Sequence, residues 1–170
     1  RDAGIQVASK IFRITAMRIA VTGRFGQIAR SLVERGPSAN VEVLTLARPT
    51  VDLARPGDLT DVLAALRPQA VVSAAAYTAV DLAESEPELA YQINAKGAEA
   101  LARAAARLQI PIIHLSTDYV FDGNLNRPYR EDDLPCPINV YGLSKLRSEQ
   151  LVAAANPNHV ILRTAWVYSP

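Results

Sequence analysis

A disulfide framework is excluded at the outset, because Cys136 is the only cysteine in 170 residues and a bridge needs two. Histidine is nearly as scarce. His114 and His159 stand too far apart to form a metal cluster by themselves, so no metal is expected. No apolar run reaches the roughly 18 residues that cross a bilayer, so no membrane contact is expected. Charge of one sign is missing too: 18 Lys and Arg face 17 Asp and Glu. Without a basic run or an interleaved aromatic stripe there is no nucleic-acid surface. Any attraction to phosphate is therefore local.

What is present suits one packed domain. An apolar content of 49% against 21% charged residues builds a core without staples, and the expected compartment is a reducing cytoplasm. Arg1–Ala16 has scattered charges, no long apolar centre and no small-residue cleavage pattern. It reads as an N-terminal extension (1–16) rather than a signal peptide, with Met17 as the expected start of the domain (17–170).

From Arg18 onward short apolar runs alternate with helical patterns, the order of an α/β parallel sheet wrapped by helices. Strands are expected at Arg18–Thr22, Val41–Leu46, a short Val51–Leu53, Ala70–Ser73, Ile110–Ser116 and Val160–Thr164. Helices are expected at Gln27–Arg35, from Pro56-Gly57 to Leu66, at Glu86–Leu108 and at Tyr141–Ala155. Between Asp122 and Asn139 lies a Pro-, Asp- and Asn-rich stretch too long to be a mere connector, and such loops usually carry function.

Three motifs carry chemistry. The first is Gly23-Arg24-Phe25-Gly26-Gln27-Ile28-Ala29, placed between a strand and a helix. Glycines there let the backbone turn and approach a pyrophosphate, which the helix N-terminus attracts; Ala29 replaces a third glycine whose place serves packing. A plain glycine turn is the alternative. After the second strand an acidic residue would hold a ribose 2′-hydroxyl, whereas Arg48 could pair with a 2′-phosphate. With Arg24 nearby this tilts toward NADPH over NADH, against the alternative of two solvated arginines. By spacing alone, Asp52 and Leu53 could border an adenine.

The second motif is Tyr141-Gly142-Leu143-Ser144-Lys145. Residues four apart share a helix face, so an ammonium can sit beside a phenol, favour its ionised form and lower its pKa from about 10. Tyr141 would then pass a proton to a developing alkoxide. The third motif is Leu115–Gly123 (LSTDYVFDG), at the carboxyl end of a strand. There Thr117, or less readily Ser116, could hydrogen-bond a carbonyl oxygen, with Asp118 and Tyr119 holding a substrate; the alternative is a capped strand end.

Together with MRIAVTGRFGQIA, the long Val71–Ala105 stretch, PYREDDLPCPINVYGLSKLRSEQ and ILRTAWVYS, these motifs resemble the dTDP-4-dehydrorhamnose reductases, extended short-chain dehydrogenase/reductases. The resemblance runs over nearly all of Met17 to Pro170. It implies a Rossmann-like, doubly wound parallel sheet with helices on both faces, and NAD(P)H-dependent reduction of the 4-keto group of a dTDP-sugar to dTDP-L-rhamnose. It further implies Thr117, Tyr141 and Lys145 as the catalytic set, with Lys145 orienting the nicotinamide ribose. Gly23, Gly26, Gln27 and Ile28 would line the pyrophosphate, and Ala74, Ala75, Ala76 and Tyr77 would pass beside the adenosine. Asp118, Tyr119 and Trp166 would face the sugar nucleotide, and Asn94 matches a structural or proton-relay asparagine.

Three departures qualify the likeness. Ser73 stands where Asn is common, and Ser31 stands where some members bind magnesium through a Glu at a dimer interface, which leaves a homodimer open. The family also continues beyond Pro170 into a part that closes over the sugar, so that substrate part is largely absent from this chain. Two other roles share the cofactor site: a non-catalytic regulatory subunit like that of methionine adenosyltransferase, and an epimerase or dehydratase acting on another sugar nucleotide.

Overall fold

In the computed structural model residues 16–168 are described; the expected extension, Ala16 apart, lies outside them. Five strands form one sheet: β1 (Met17–Thr22), β2 (Val41–Leu46), β3 (Ala70–Ser73), β4 (Ile112–Thr117) and β5 (His159–Thr164). All neighbours run parallel, in the order β2-β1-β3-β4-β5. The chain leaves β1 toward β2 and returns on the opposite side as β3. A crevice therefore opens outside the carboxyl ends of β1 and β3, where open parallel sheets bind their ligands.

Period-two alternation sends successive strand residues to opposite faces. Ala20, Val71 and Ile112 pack beneath α2 (Thr60–Leu66), α5 (Ala98–Arg107) and α6 (Val140–Ala155), in the larger core with Leu63, Leu101 and Val152. Val21 and Val72 face the other way and pack against Ala29 and Leu32 of α1 (Gln27–Arg35). Helices thus cover both faces of a Rossmann-like sheet. Leu63 and Leu101 are fully buried, each contributing roughly 2 kcal/mol by removal from water.

Three expectations are corrected. Val51–Leu53 is not a strand, so the sheet has five members among the described residues rather than six. Asp52 turns the chain instead: its Oδ1 accepts the Ala54 N–H at 3.0 Å and its carbonyl accepts that of Arg55 at 3.0 Å. Val51 and Leu53 still bury their side chains; the apolar alternation reflects packing, not pairing. The second helix begins at Thr60, not at Pro56-Gly57, because Asp58 Oδ1 accepts the Thr60 N–H (2.9 Å) and hydroxyl (2.6 Å) at its start.

The long helix also divides. After a short α3 (Val80–Ala83) come α4 (Pro87–Tyr91), a π-helical stretch over Gln92–Gly97, and α5. Gly97 lets this stretch lie against the Leu53 backbone, since a Cβ there would meet the Leu53 carbonyl oxygen at 2.7 Å. π-Bulges of this kind are frequent at functional sites, and this one holds Asn94.

Candidate active site

The crevice is a cleft of about 650 Å³ with two walls of different construction. The first is backbone. Thr22 ends β1 with its hydroxyl buried, accepting the N–H groups of Ala74 and Ala75, each at 2.9 Å. Gly23 follows at φ +95°, a conformation that favours glycine, and a Cβ there would touch Ala75 at 3.5 Å. Its N–H donates to the Leu46 carbonyl at 2.8 Å. α1 then starts at Gly26 with no side-chain cap and no acid in its first turn. The free N–H groups and positive dipole end of that helix suit an anion. Gly26, Gln27, Ile28 and Ala74–Ala76 all line this wall.

The second wall is made of side chains from β4 and α6. Asn139 caps α6 by accepting the Gly142 N–H at 2.7 Å. Gly142 in turn lets the helix press against the 3₁₀ turn Asp118–Val120: a Cβ there would collide with the Tyr119 carbonyl and lie 3.0 Å from Pro137. That approach brings Tyr141 and Lys145 of α6 into the cleft with Thr117, Asp118 and Tyr119. Tyr119 meets Tyr141 edge to face, with 5.5 Å between ring centroids.

The electrostatics differ from the expectation of a depressed phenol. Burial raises the pKa of Tyr141, a hydrogen bond from Thr117 works against that rise, and Asp118 and Tyr119 add to it. The ammonium is engaged elsewhere. Lys145 is 4% exposed, donates to the Leu115 carbonyl at 2.6 Å and stands 3.4 Å from His114 Nε2. Burial lowers its pKa to about 8, with Glu149 opposing. His114 is held neutral: burial first, then the charge of Lys145, pushes its pKa down to about 2. Tyr141 thus keeps its proton at neutral pH and can give it away, which a preformed phenolate could not.

A fully buried Asn94 joins the walls. Its Oδ1 accepts the Tyr77 N–H at 2.7 Å, and its Nδ2 donates to the Tyr77 carbonyl at 3.1 Å and to Ser144 Oγ at 2.8 Å. Asn94 therefore acts from behind the cleft, not within it. Tyr77 also stays out of the lining: its hydroxyl donates to Glu86 at 2.6 Å, which raises its pKa to about 12. Arg24, Phe25 and Arg48 are exposed and outside the lining, with the Arg24 guanidinium 5.5 Å from the Phe25 ring. Asp52 and Leu53 face the turn and the core. Trp166 lines the cleft at φ +46°, largely exposed.

Several cleft and supporting residues escape sequence reasoning. Thr22, Thr78 and Thr164 offer no motif. Buried behind Lys145 are His114, Ser148 and Glu149, with Arg163 beside them. The spacing of Lys145, Ser148, Glu149 and Val152 marks a single helix face, a signal hidden by its polarity. Ser73 is the register neighbour of His114, and among the described residues Ser73 Oγ and His114 Nδ1 have no hydrogen-bond partner. Ser31 lies on α1 beside a smaller apolar groove of about 320 Å³, away from the cleft.

Residues 17–170 match the family described as the RmlD substrate binding domain. The chain is 56% identical over 153 residues to a dTDP-4-dehydrorhamnose reductase of Sinorhizobium fredii, covering 90% of this chain and 51% of that protein. A crystal structure of such a reductase from Clostridium acetobutylicum superposes with a TM-score of 0.85 at 39% identity, over 89% of this chain and 54% of the other. One from Bacillus anthracis in complex with NADP also gives 0.85, at 36% identity over 89% and 54%. The chain spans about half the length of the curated relatives it matches. With the glycine turn, the Tyr141–Lys145 pair and the strand-end Thr117 gathered at one crevice, it belongs to the family of the RmlD substrate binding domain.

Proposed function

We propose that this chain is the cofactor-binding and catalytic half of an NAD(P)H-dependent reductase that converts the 4-keto group of dTDP-4-dehydro-L-rhamnose to the hydroxyl of dTDP-L-rhamnose, in a cytoplasmic setting. One observation carries the reading: Thr117, Tyr141 and Lys145 line the same cleft as the glycine turn. The relatives named above are reductases of this substrate, and one of them is complexed with NADP.

The residues present suit a nicotinamide dinucleotide. The positive φ of Gly23 and the uncapped start of α1 form a cradle for the pyrophosphate, while Ala74–Ala76 leave a low wall for the adenosine. Bound there, the dinucleotide supplies hydride to the keto carbon. The Thr117 hydroxyl donates a hydrogen bond to the keto oxygen, and Tyr141 gives its phenolic proton to that oxygen as charge develops. Lys145 holds a positive charge beneath Tyr141 and has donors to spare for a ribose hydroxyl beyond its bond to Leu115. Among the described residues neither Arg24 nor Arg48 has a carboxylate partner, so both are free to pair with the 2′-phosphate that distinguishes NADPH from NADH. Asp118, Tyr119 and Trp166 take the sugar nucleotide.

The test is hydride transfer by the full-length protein with NADPH and the dTDP-4-keto sugar, followed by loss of the reduced-nicotinamide absorbance. Oxidation that needs both components supports the reading. Binding of NADPH without any turnover would overturn it in favour of a regulatory role.

A further inference from the structure

Behind the cleft lies a second charged layer that the reaction above does not use. α6 buries Lys145, Ser148, Glu149 and Val152, the i, i+3, i+4 and i+7 positions of one face. Glu149 is 5% exposed, a place where a carboxylate survives ionised only if it is well partnered. Its partners come from two neighbouring strands. The Ser116 hydroxyl of β4 donates to Oε1. Arg163 of β5, the register neighbour of Ser116, donates through Nε to Oε1 at 2.9 Å and through Nη2 to Oε2 at 2.7 Å. Such a two-pronged contact fixes orientation as well as charge.

Arg163 is itself fastened to the long 122–139 loop. Its guanidinium lies 5.0 Å from the centre of the Phe121 ring, which stacks on Tyr129 at 4.2 Å. The Tyr129 hydroxyl donates to Asp122 at 2.6 Å, and Arg163 Nη1 reaches the Glu131 carbonyl at 3.4 Å. From the loop to the buried carboxylate the contacts are continuous.

Several charged or titratable groups surround the Lys145 ammonium. His114 on β4 is neutral and Tyr141 on α6 keeps its proton. Asp118 and Tyr119, after β4, line the same cleft and act on Tyr141. Glu84, next to α3, accepts the Val140 N–H at the start of α6, and from the π-helical stretch the uncharged Asn94 reaches Ser144 of α6. Glu149 lies one helical turn from Lys145 on the same buried face of α6, and its charge opposes the loss of the Lys145 proton on burial.

We propose that Glu149 is a positioning residue: its carboxylate, clamped by Ser116 and Arg163, is the counter-charge that keeps the Lys145 ammonium protonated beneath the cleft and couples that charge to the seating of the 122–139 loop. The proposal rests on the assignment of Lys145 to the reacting set, and its test separates the two. In the full-length protein the ε-carbon resonance of Lys145, assigned by its loss in Lys145→Arg, is titrated by ¹³C NMR beside the pH profile of kcat/KM. Glu149→Gln keeps an acceptor for Ser116 and Arg163 but removes the charge.

The expected result is a Lys145 midpoint about one pH unit lower, a matching displacement of the kcat/KM limb, and restoration of both by Glu149→Asp. Should the single variant not fold because Arg163 is left without a counter-ion, Glu149→Gln with Arg163→Gln reads the same midpoint. An unmoved Lys145 resonance in whichever variant folds overturns the proposal. A lowered resonance with an unmoved rate profile supports it, and counts instead against the role assigned to Lys145 in the reaction.

Discussion

The two walls of the cleft solve the same problem, holding polar groups at a sheet edge, by opposite means. Along β1, α1 and the 74–76 segment the polar groups are backbone N–H donors, and the side chains are small. Along β4, α6 and β5 they are side chains, held partly by backbone groups (Lys145 on the Leu115 carbonyl, Thr164 on the Ser116 carbonyl, Thr117 under the Tyr119 N–H) and partly by buried polar side chains behind them. A backbone wall needs little beyond a glycine at positive φ and one hydroxyl, Thr22, to set its depth. A side-chain wall needs a supporting layer, here His114, Ser148, Glu149 and Arg163. Such a layer is costly to leave half satisfied.

The sharpest way to divide the walls is Tyr141→Phe. It removes the proton donor without touching the glycine turn, so kcat is expected to fall by about 10²- to 10⁴-fold while NADPH affinity, measured by fluorescence titration, stays near that of the parent. Equal losses in both would show that the walls are not independent.

Acid is expected to attack the side-chain wall through His114. Its folded pKa of about 2 lies below the unfolded value near 6.5. The unfolded chain therefore binds the extra proton first, and the stability that neutral His114 confers is complete above pH 6.5 and lost as pH falls. Between pH 6.5 and 4 this amounts to about 3 kcal/mol. Urea unfolding of parent and His114→Gln across that range checks it: the variant should show a distinctly shallower slope.

Two glycines sharpen the contrast. Gly142→Ala forces a methyl group against the Tyr119 carbonyl and Pro137, for an expected loss of about 2 kcal/mol, read by thermal unfolding. Gly26→Ala has nothing within 4 Å and should leave Tm within error, while weakening NADPH by crowding the pyrophosphate. A smaller loss of stability than at Gly142 is expected at Thr22→Val, which strips the acceptor from the Ala74 and Ala75 N–H groups. It should cost about 1 to 2 kcal/mol and loosen the 74–76 segment, visible as faster amide exchange there.

The same division governs what could be read in advance. Gly23 and Gly26 were legible because a turn that approaches phosphate needs glycine at a set spacing after a strand. Tyr141 and Lys145 were legible as one turn of a helix, although the state of the phenol was not: Lys145 turns to Leu115 and His114, contacts set by β4. Asn94 was named through the family likeness, but its bonds to Tyr77 and Ser144, and the π-helical stretch that aims it, depend on three separate segments. Val51–Leu53 looked like a strand because alternation records which side chains are buried, not whether the backbone finds a partner.

By itself the sequence determined the alternation of strands and helices, the glycine turn, the phenol–ammonium pair and the family likeness, since each is set by neighbours within one or two turns of chain. The tertiary structure alone decided which groups hold that pair in place. Ser116, Glu149 and Arg163 are separated along the chain and meet only when β4, β5 and α6 pack, and burial beside them then keeps His114 neutral and lowers the pKa of Lys145.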